Sequence, residues 1–219
     1  MKRIFFTFIA IFATMMTISA QAVLDLKLIQ ETVENEKEYF QDILNIFQND
    51  DPLLRTEDIA LVYYGHSFLP SYNAGNDKNE EALKNYVAQG DNNSIYATAK
   101  KILAYNPVSL NALFYAWRSA LELNRPESES TSYVTKYLNI LNMITTYGDG
   151  KNSRTPFYVI NPDDQDHIIY GIFEIEDVKG RELDTETLCN IISIEPCPKF
   201  PRRLMYINVS RYLSHTTNK

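Results

Sequence analysis

The chain has 219 residues, 45% of them apolar and 22% charged, with seven Gly, nine Pro and two Cys. That apolar share is enough for a packed core and excludes a disordered, collagen-like or low-complexity chain. Lys and Arg (21) are outnumbered by Asp and Glu (28), a net of −7 that opposes DNA or RNA as a partner, and two Cys cannot build a multi-bridge scaffold or a four-cysteine zinc site.

The first 22 residues have the form of a secretory signal. Lys2 and Arg3 precede an acid-free, mostly apolar run from Ile4 to Ile18, and Ala20-Gln21-Ala22 offers the small-x-small pattern that a signal peptidase cleaves. The run is shorter than the ~20 residues that span a bilayer. Cleavage is expected before Val23, with no lipid-bearing Cys behind it, leaving 197 residues and a net of −9 in the periplasm or outside the cell.

From Leu26 to Phe47 apolar residues fall at helical spacing (Ile29, Val33, Phe40, Ile43, Leu44, Phe47), with a break near Asn35 and a stop at Asp50-Asp51-Pro52. Thr56 with Glu57 and Asp58 reads as a cap and first turn for a helix through Ile59, Leu61, Val62 and Tyr63, which Gly65 is placed to close. Pro70, Asn73, Gly75, Asn76 and Asp77 mark a loop. A weakly patterned helix follows from Asn79 to Gln89, then stronger ones from Ser94 to Tyr105, after Ser109, and from Ser130 to Tyr147, broken by Asn106-Pro107 and Asn124-Arg125-Pro126. Their apolar stripes must cover one another, as in antiparallel helix pairs with tetratricopeptide-like packing. The full repeat signature is absent.

The pattern changes at Gly148-Asp149-Gly150-Lys151. Phe157–Ile160, Leu188–Ile194 and Leu204–Val209 read as strands, Asn161-Pro162-Asp163-Asp164 as a turn or helix start, and Ile168–Ile175 as an apolar run of ambiguous period. The expected fold class is therefore α+β: a helical part over 23–147, then a small, mostly antiparallel sheet over 148–219, in one domain behind the leader. Cys189 and Cys197 flank the strand Asn190–Ile194. An extended path would hold them roughly 25 Å apart, whereas a bridge needs Cα atoms within about 7 Å. A bridge thus requires the chain to double back near Ser193; a buried, inert Cys189 is the favoured state, with the bridge left open.

Tyr63-Tyr64-Gly65-His66-Ser67-Phe68-Leu69-Pro70-Ser71-Tyr72 resembles the tyrosine-tyrosine-glycine motif of a family of exported Bacteroidetes proteins catalogued as a domain of unknown function. Asn106-Pro107, Gly148–Lys151 before Phe157–Ile160, Cys189, and Tyr206–Val209 fit the same order, so the resemblance spans nearly all of the mature chain. Asp166-His167 and Asn190 depart from the pattern, where a Glu-Tyr pair and an Asp are expected. The resemblance implies compartment and architecture and supplies no activity.

The residues that invite chemistry read more simply as structure. His66-Ser67 lacks the G-x-S-x-G nucleophile turn and reads as a helix end. His167 among Asp163, Asp164 and Asp166 lacks further nitrogen or sulfur ligands for zinc and the glycine of a calcium loop, so it reads as a solvated acidic turn. Cys189 sits among apolar neighbours unsuited to a reactive thiolate. Gly148–Lys151 lacks the phosphate-loop spacing. The aromatic loop offers more, because tyrosine joins a flat apolar face to a polar tip, although core packing at the join between helices is the simpler reading of the same residues.

The favoured reading is a non-enzymatic exported module of the cell envelope that binds a protein or glycan. It needs no cofactor and no metal, and its candidate partner-binding residues are Tyr63, Tyr64, His66, Phe68 and Tyr72. The rivals are a hydrolase of envelope peptide or glycan, using acids and His66 in a cleft between the two parts, and a self-associating structural protein. The sequence assigns no catalytic residue and no oligomeric state.

Overall fold

The structure, a computed structural model, describes residues 23–51, 53–73 and 77–217. The expected leader, Pro52 of the first helix stop, and Gly75 and Asn76 of the loop lie outside these residues. Helices α1 (Leu26–Asn35), α2 (Lys37–Gln48), α3 (Thr56–His66), α4 (Lys78–Gln89), α5 (Asn92–Leu103), α6 (Leu110–Glu122) and α7 (Glu127–Tyr147) come first. Strand β1 (Phe157–Tyr158), a short turn of helix α8 (Asp164–Asp166) that widens into a π-helix (His167–Ile172), strands β2 (Val178–Asp184), β3 (Cys189–Ile194) and β4 (Leu204–Asn208), and helix α9 (Ser210–Thr217) follow. The layout is α+β.

Local chemistry starts these helices: α6 begins after Ser109 as expected, whereas α5 and α7 begin at Asn92 and Glu127, ahead of the expected Ser94 and Ser130. The side chains of Asp25, Asp77, Asp91 and Ser109 each accept a backbone N–H of the turn they precede. At α3 the cap lies one residue earlier than expected. Thr56 is already helical, and the Asp58 carboxylate reaches back 3.0 Å to the Arg55 backbone N–H and also pairs with the Arg55 guanidinium.

Gly65 corrects another expectation. It does not close α3 with a left-handed residue but lies within the helix. A Cβ there would sit 2.8 Å from Phe40 and 3.0 Å from Val33, so the missing side chain is what lets α3 lie against α1 and α2. Val33, Phe40 and Leu61 form the small core at that junction.

Each of α4 to α7 packs on the next. Ala99, Ala112 and Ala116 are fully buried and, with Leu83, Ile95 and Ile102, let α4, α5 and α6 approach closely. The sheet order is β1-β4-β3-β2; β1 runs parallel to β4, and the other two pairings are antiparallel. Helices and sheet share one interior, in which Val62, Tyr63, Ile140, Met143 and Ile144 meet Phe157, Ile192, Met205 and Ile207. Burying that common apolar surface is the largest favourable contribution to joining the two parts.

Two elements have no forecast in the sequence. Edge strand β2 is largely exposed and carries Lys179, Arg181, Glu182 and Asp184, so it shows no apolar alternation. Helix α9 occupies what reads as a polar tail. It is pinned by Arg211, whose guanidinium donates to Ser67 Oγ and Ser67 O at 3.0 and 2.8 Å and lies 3.8 Å from the centre of the Phe68 ring. Ile168–Ile175 resolves into the π-helix and the short turn after it.

Candidate functional site

The tyrosines of the Tyr-Tyr-Gly segment face inward. Tyr63 and Tyr64 are fully buried and Tyr72 nearly so, which corrects the expectation that they form an aromatic recognition surface. Their hydroxyls grip the chain that leaves β1. Tyr64 Oη donates to Tyr158 O at 3.2 Å, and Tyr72 Oη donates to Ile160 O. Tyr63 Oη accepts from Ile160 N–H at 3.3 Å and donates to Asp164 Oδ2 at 2.6 Å. Both backbone groups of Ile160, which lies beyond the end of β1, are thereby satisfied by tyrosines from the helical part. Burial pushes the Tyr63 and Tyr64 hydroxyls well above their ordinary range, so they stay protonated and able to donate.

The segment Asn161–His167, fixed this way, divides two concavities. On one side a cavity of about 30 Å³ is lined by His66, Tyr72, Glu80, Asn106, Ser109 and Asp164, among others. Asp164 is not the solvated acid expected. It is buried, accepts from Tyr63 Oη and from Asn161 N–H at 3.0 Å, and is pushed up to about 7 by burial against the pull of the Tyr63 hydroxyl. His66 is buried and lowered to about 4 by burial alone. Among the described residues it makes no hydrogen bond or ion pair to a carboxylate. The space suits about one water molecule, far below the ~300–1,000 Å³ of ordinary ligand pockets. Three carboxylates (Asp77, Glu80 and Asp164) and a histidine thus surround a space with no room for a peptide or sugar substrate.

On the other side lies an open groove of about 510 Å³ between α6, α7 and the π-helix, with Lys84 at its edge. Phe114 is the hub of its wall: its ring centre lies 5.2 Å from Tyr115, 5.6 Å from Tyr137 and 5.7 Å from His167. Tyr170 stands 46% exposed at the rim. Gly171 leaves space for the Tyr137 hydroxyl, which a Cβ would meet at 2.9 Å.

The polar groups of the groove form one chain whose proton positions follow from chemistry. Lys84 Nζ lies 2.6 Å from Asp163 Oδ2, and Asn111 Nδ2 donates to the same oxygen at 3.1 Å. Because an ionised carboxylate only accepts, the Asn111 amide nitrogen must face Asp163 and its oxygen must face His167. His167 Nε2, 2.9 Å from Asn111 Oδ1, then carries the proton, and Nδ1 accepts from Tyr137 Oη at 3.1 Å. Burial lowers His167 to about 4 and keeps it neutral. Both ring nitrogens are engaged, so this histidine has no free lone pair with which to take a proton from a substrate. Beside it, Arg181 pairs with Asp166 at 2.6 Å.

The remaining sequence candidates are structural. Phe68 lies under Arg211, as described. Cys189 and Cys197 are both free thiols, the first buried at the start of β3. Gly148 follows α7 directly, and Gly150 takes a left-handed φ of +64° where a Cβ would strike the Phe157 ring at 2.2 Å. Among the described residues no three of His, Cys, Asp and Glu gather as a metal site, and no helix is long and apolar enough to cross a membrane.

A family model described as a domain of unknown function (DUF4919) matches residues 27–218. The chain belongs to this family. No curated protein and no solved structure matches it. The match bears out the resemblance to a family of unknown function and brings no chemistry of its own, so the groove must be read from its residues.

Sequence reasoning reached His167 and the neighbouring acids but set them aside as a surface turn. Phe114 and Tyr137 are not legible as a site because each lies on a regular apolar stripe, and Asn111 is not because a single polar residue on a helix carries no signal of its own. The one sequence signal that could have singled out the region is the departure at Asp166-His167.

Proposed function

We propose that the protein is a non-enzymatic binding module that holds a hydroxyl-rich glycan segment in the groove beside the π-helix. The observation that carries this reading is the engagement of both His167 nitrogens in a wall where the rings of Phe114, Tyr115, Tyr137 and Tyr170 stand beside ion-paired and amide side chains. Such a wall can stack and hydrogen-bond a ligand, and its two carboxylates, Asp163 and Asp166, are each held in an ion pair, with Lys84 and Arg181, rather than left free to activate a nucleophile. Sugar rings present apolar C–H faces and hydroxyl edges. Phe114, Tyr115 and Tyr170 suit the faces, and Asp163, Asp166 and Lys84 suit the edges. The groove's volume fits a short saccharide. The apolar run Ile4–Ile18 and Ala20-Gln21-Ala22 support export to the envelope, where such glycans are found. Fractionation of cells making the full chain is expected to recover it outside the cytoplasm.

Calorimetric titration with neutral oligosaccharides tests the reading. Binding is expected, and Tyr170→Ala is expected to weaken it about tenfold, the worth of one aromatic contact. Because Tyr170 is half exposed, its removal should leave the fold intact. Binding of peptides but no saccharide, or equal affinity in the variant, would overturn it.

A further inference from the structure

The small cavity on the far side of Asn161–His167 holds a separate anomaly. Glu80 is buried to 7% exposure. Its Oε1 accepts from Ser109 Oγ at 2.6 Å, but its Oε2 has no partner in hydrogen-bonding geometry; the Asn111 amide, which also bears on this carboxyl, donates instead to Asp163. Asn106 Oδ1, from the same lining, is also buried without a partner. An unsatisfied buried acceptor costs roughly 1–3 kcal/mol, and more when charged. Both orphans are oxygens, so while Glu80 is ionised a donor is missing; burial by itself raises Glu80, and a cation in the cavity would oppose that and keep it charged.

Charge narrows the donor further. The lining carries the carboxylates of Asp77, Glu80 and Asp164 and neither Lys nor Arg. The nearby Lys84 is committed to Asp163. Ser109 also donates inward, and its oxygen already accepts the Ala112 N–H. A neutral donor such as water would satisfy the oxygens but not the charge. A divalent metal needs a cage of several charged ligands, and the described residues gather none.

We propose that this cavity is a binding site for a primary ammonium group, with Glu80 as its counter-ion and Asn106 Oδ1 as a second acceptor. The volume of about 30 Å³ admits one –NH₃⁺ group and no more of the molecule that bears it. The shared chemistry is the ammonium; its source is either the free ion or the tip of an amine whose stem leaves through the open side. The site is independent of the glycan groove, and either can fail without the other.

Thermal unfolding of the purified chain at pH 7.5 and fixed ionic strength tests it, with ammonium, methylammonium, potassium and tetramethylammonium chlorides as the probes. Ammonium or methylammonium is expected to raise the midpoint by about 3–6 °C at roughly ten times its dissociation constant, over the potassium and tetramethylammonium controls. A larger rise with methylammonium than with ammonium assigns the site to amines, and the reverse assigns it to the free ion. Glu80→Gln is expected to abolish the increment. Where that variant fails to fold, Asn106→Leu serves, and a shift of the Asn106 side-chain amide signals on adding ammonium to the unaltered chain gives a second readout. Equal effects of potassium and ammonium would mean a general cation site and overturn the proposal. No effect from any probe would mean water alone and also overturn it.

Discussion

Tyr63 Oη donates a 2.6 Å hydrogen bond to Asp164 Oδ2, joining residues 101 positions apart. This one contact ties α3 to the segment that separates cavity from groove. The same hydroxyl accepts the Ile160 N–H, so it acts in two directions at once.

Replacing Tyr63 with Phe removes both bonds while keeping the ring. Asp164 loses its closest donor and Ile160 N–H is left buried and unpaired, at a cost of roughly 1–3 kcal/mol. Tyr64→Phe removes a single longer bond, to Tyr158 O, and should cost less. Urea unfolding of the two variants checks the order; equal losses would contradict it.

The pH dependence of stability has opposed contributions. Asp164 sits at about 7 in the fold against 3.8 when free, so the folded chain keeps a proton there that the unfolded chain releases. Its contribution therefore falls as pH rises between those values, and Glu80, also raised by burial, acts in the same direction. His66 and His167 sit at about 4 against 6.5, so the unfolded chain binds protons that the folded chain refuses, and their contribution rises with pH across that window. Asp164→Asn removes one downward component. Its stability should climb more steeply than that of the parent from about pH 4.5 to 6.5 in urea titrations. Parallel profiles would rule out Asp164 as the titrating group.

Gly65→Ala sets two effects against each other. Alanine gains up to about 1 kcal/mol in helix propensity, but the new methyl presses on the Phe40 ring at 2.8 Å, and overpacking costs about 1–3 kcal/mol. Net destabilisation is expected. Adding Phe40→Leu should recover part of it, because the atom in the way belongs to that side chain. A double variant no more stable than the sum of the single effects would place the strain elsewhere.

Much of the helical part is legible in the sequence, because caps and breaks are local. The break near Asn35, the Ser109 cap and the Asn106-Pro107 stop act through neighbours a few residues away. The same holds for strands β3 and β4, whose apolar residues announce burial. Strand β2 is illegible because an edge strand largely exposed to water needs no apolar pattern. Asp164 looks like a surface acid because what buries it is a tyrosine from another part of the chain. The groove is hidden for a related reason: Phe114 and Tyr137 look like core residues of α6 and α7, and only their meeting with His167 makes a wall.

The two thiols offer a check on the C-terminal part. Cys189 is buried and Cys197 half-buried, and both are free. A thiol reagent should modify Cys197 first in the folded chain and both once it is unfolded. An oxidised pair in the native protein, with neither thiol reactive after unfolding, would require a different path between β3 and β4.

The most direct test of a groove that binds without reacting is to incubate the full chain with purified envelope glycan, then follow both retention and mass. Intact glycan, retained by the parent chain and released by Phe114→Ala or Tyr170→Ala, is the expected result. Glycan cleaved to smaller products, or held equally well by both variants, would contradict it.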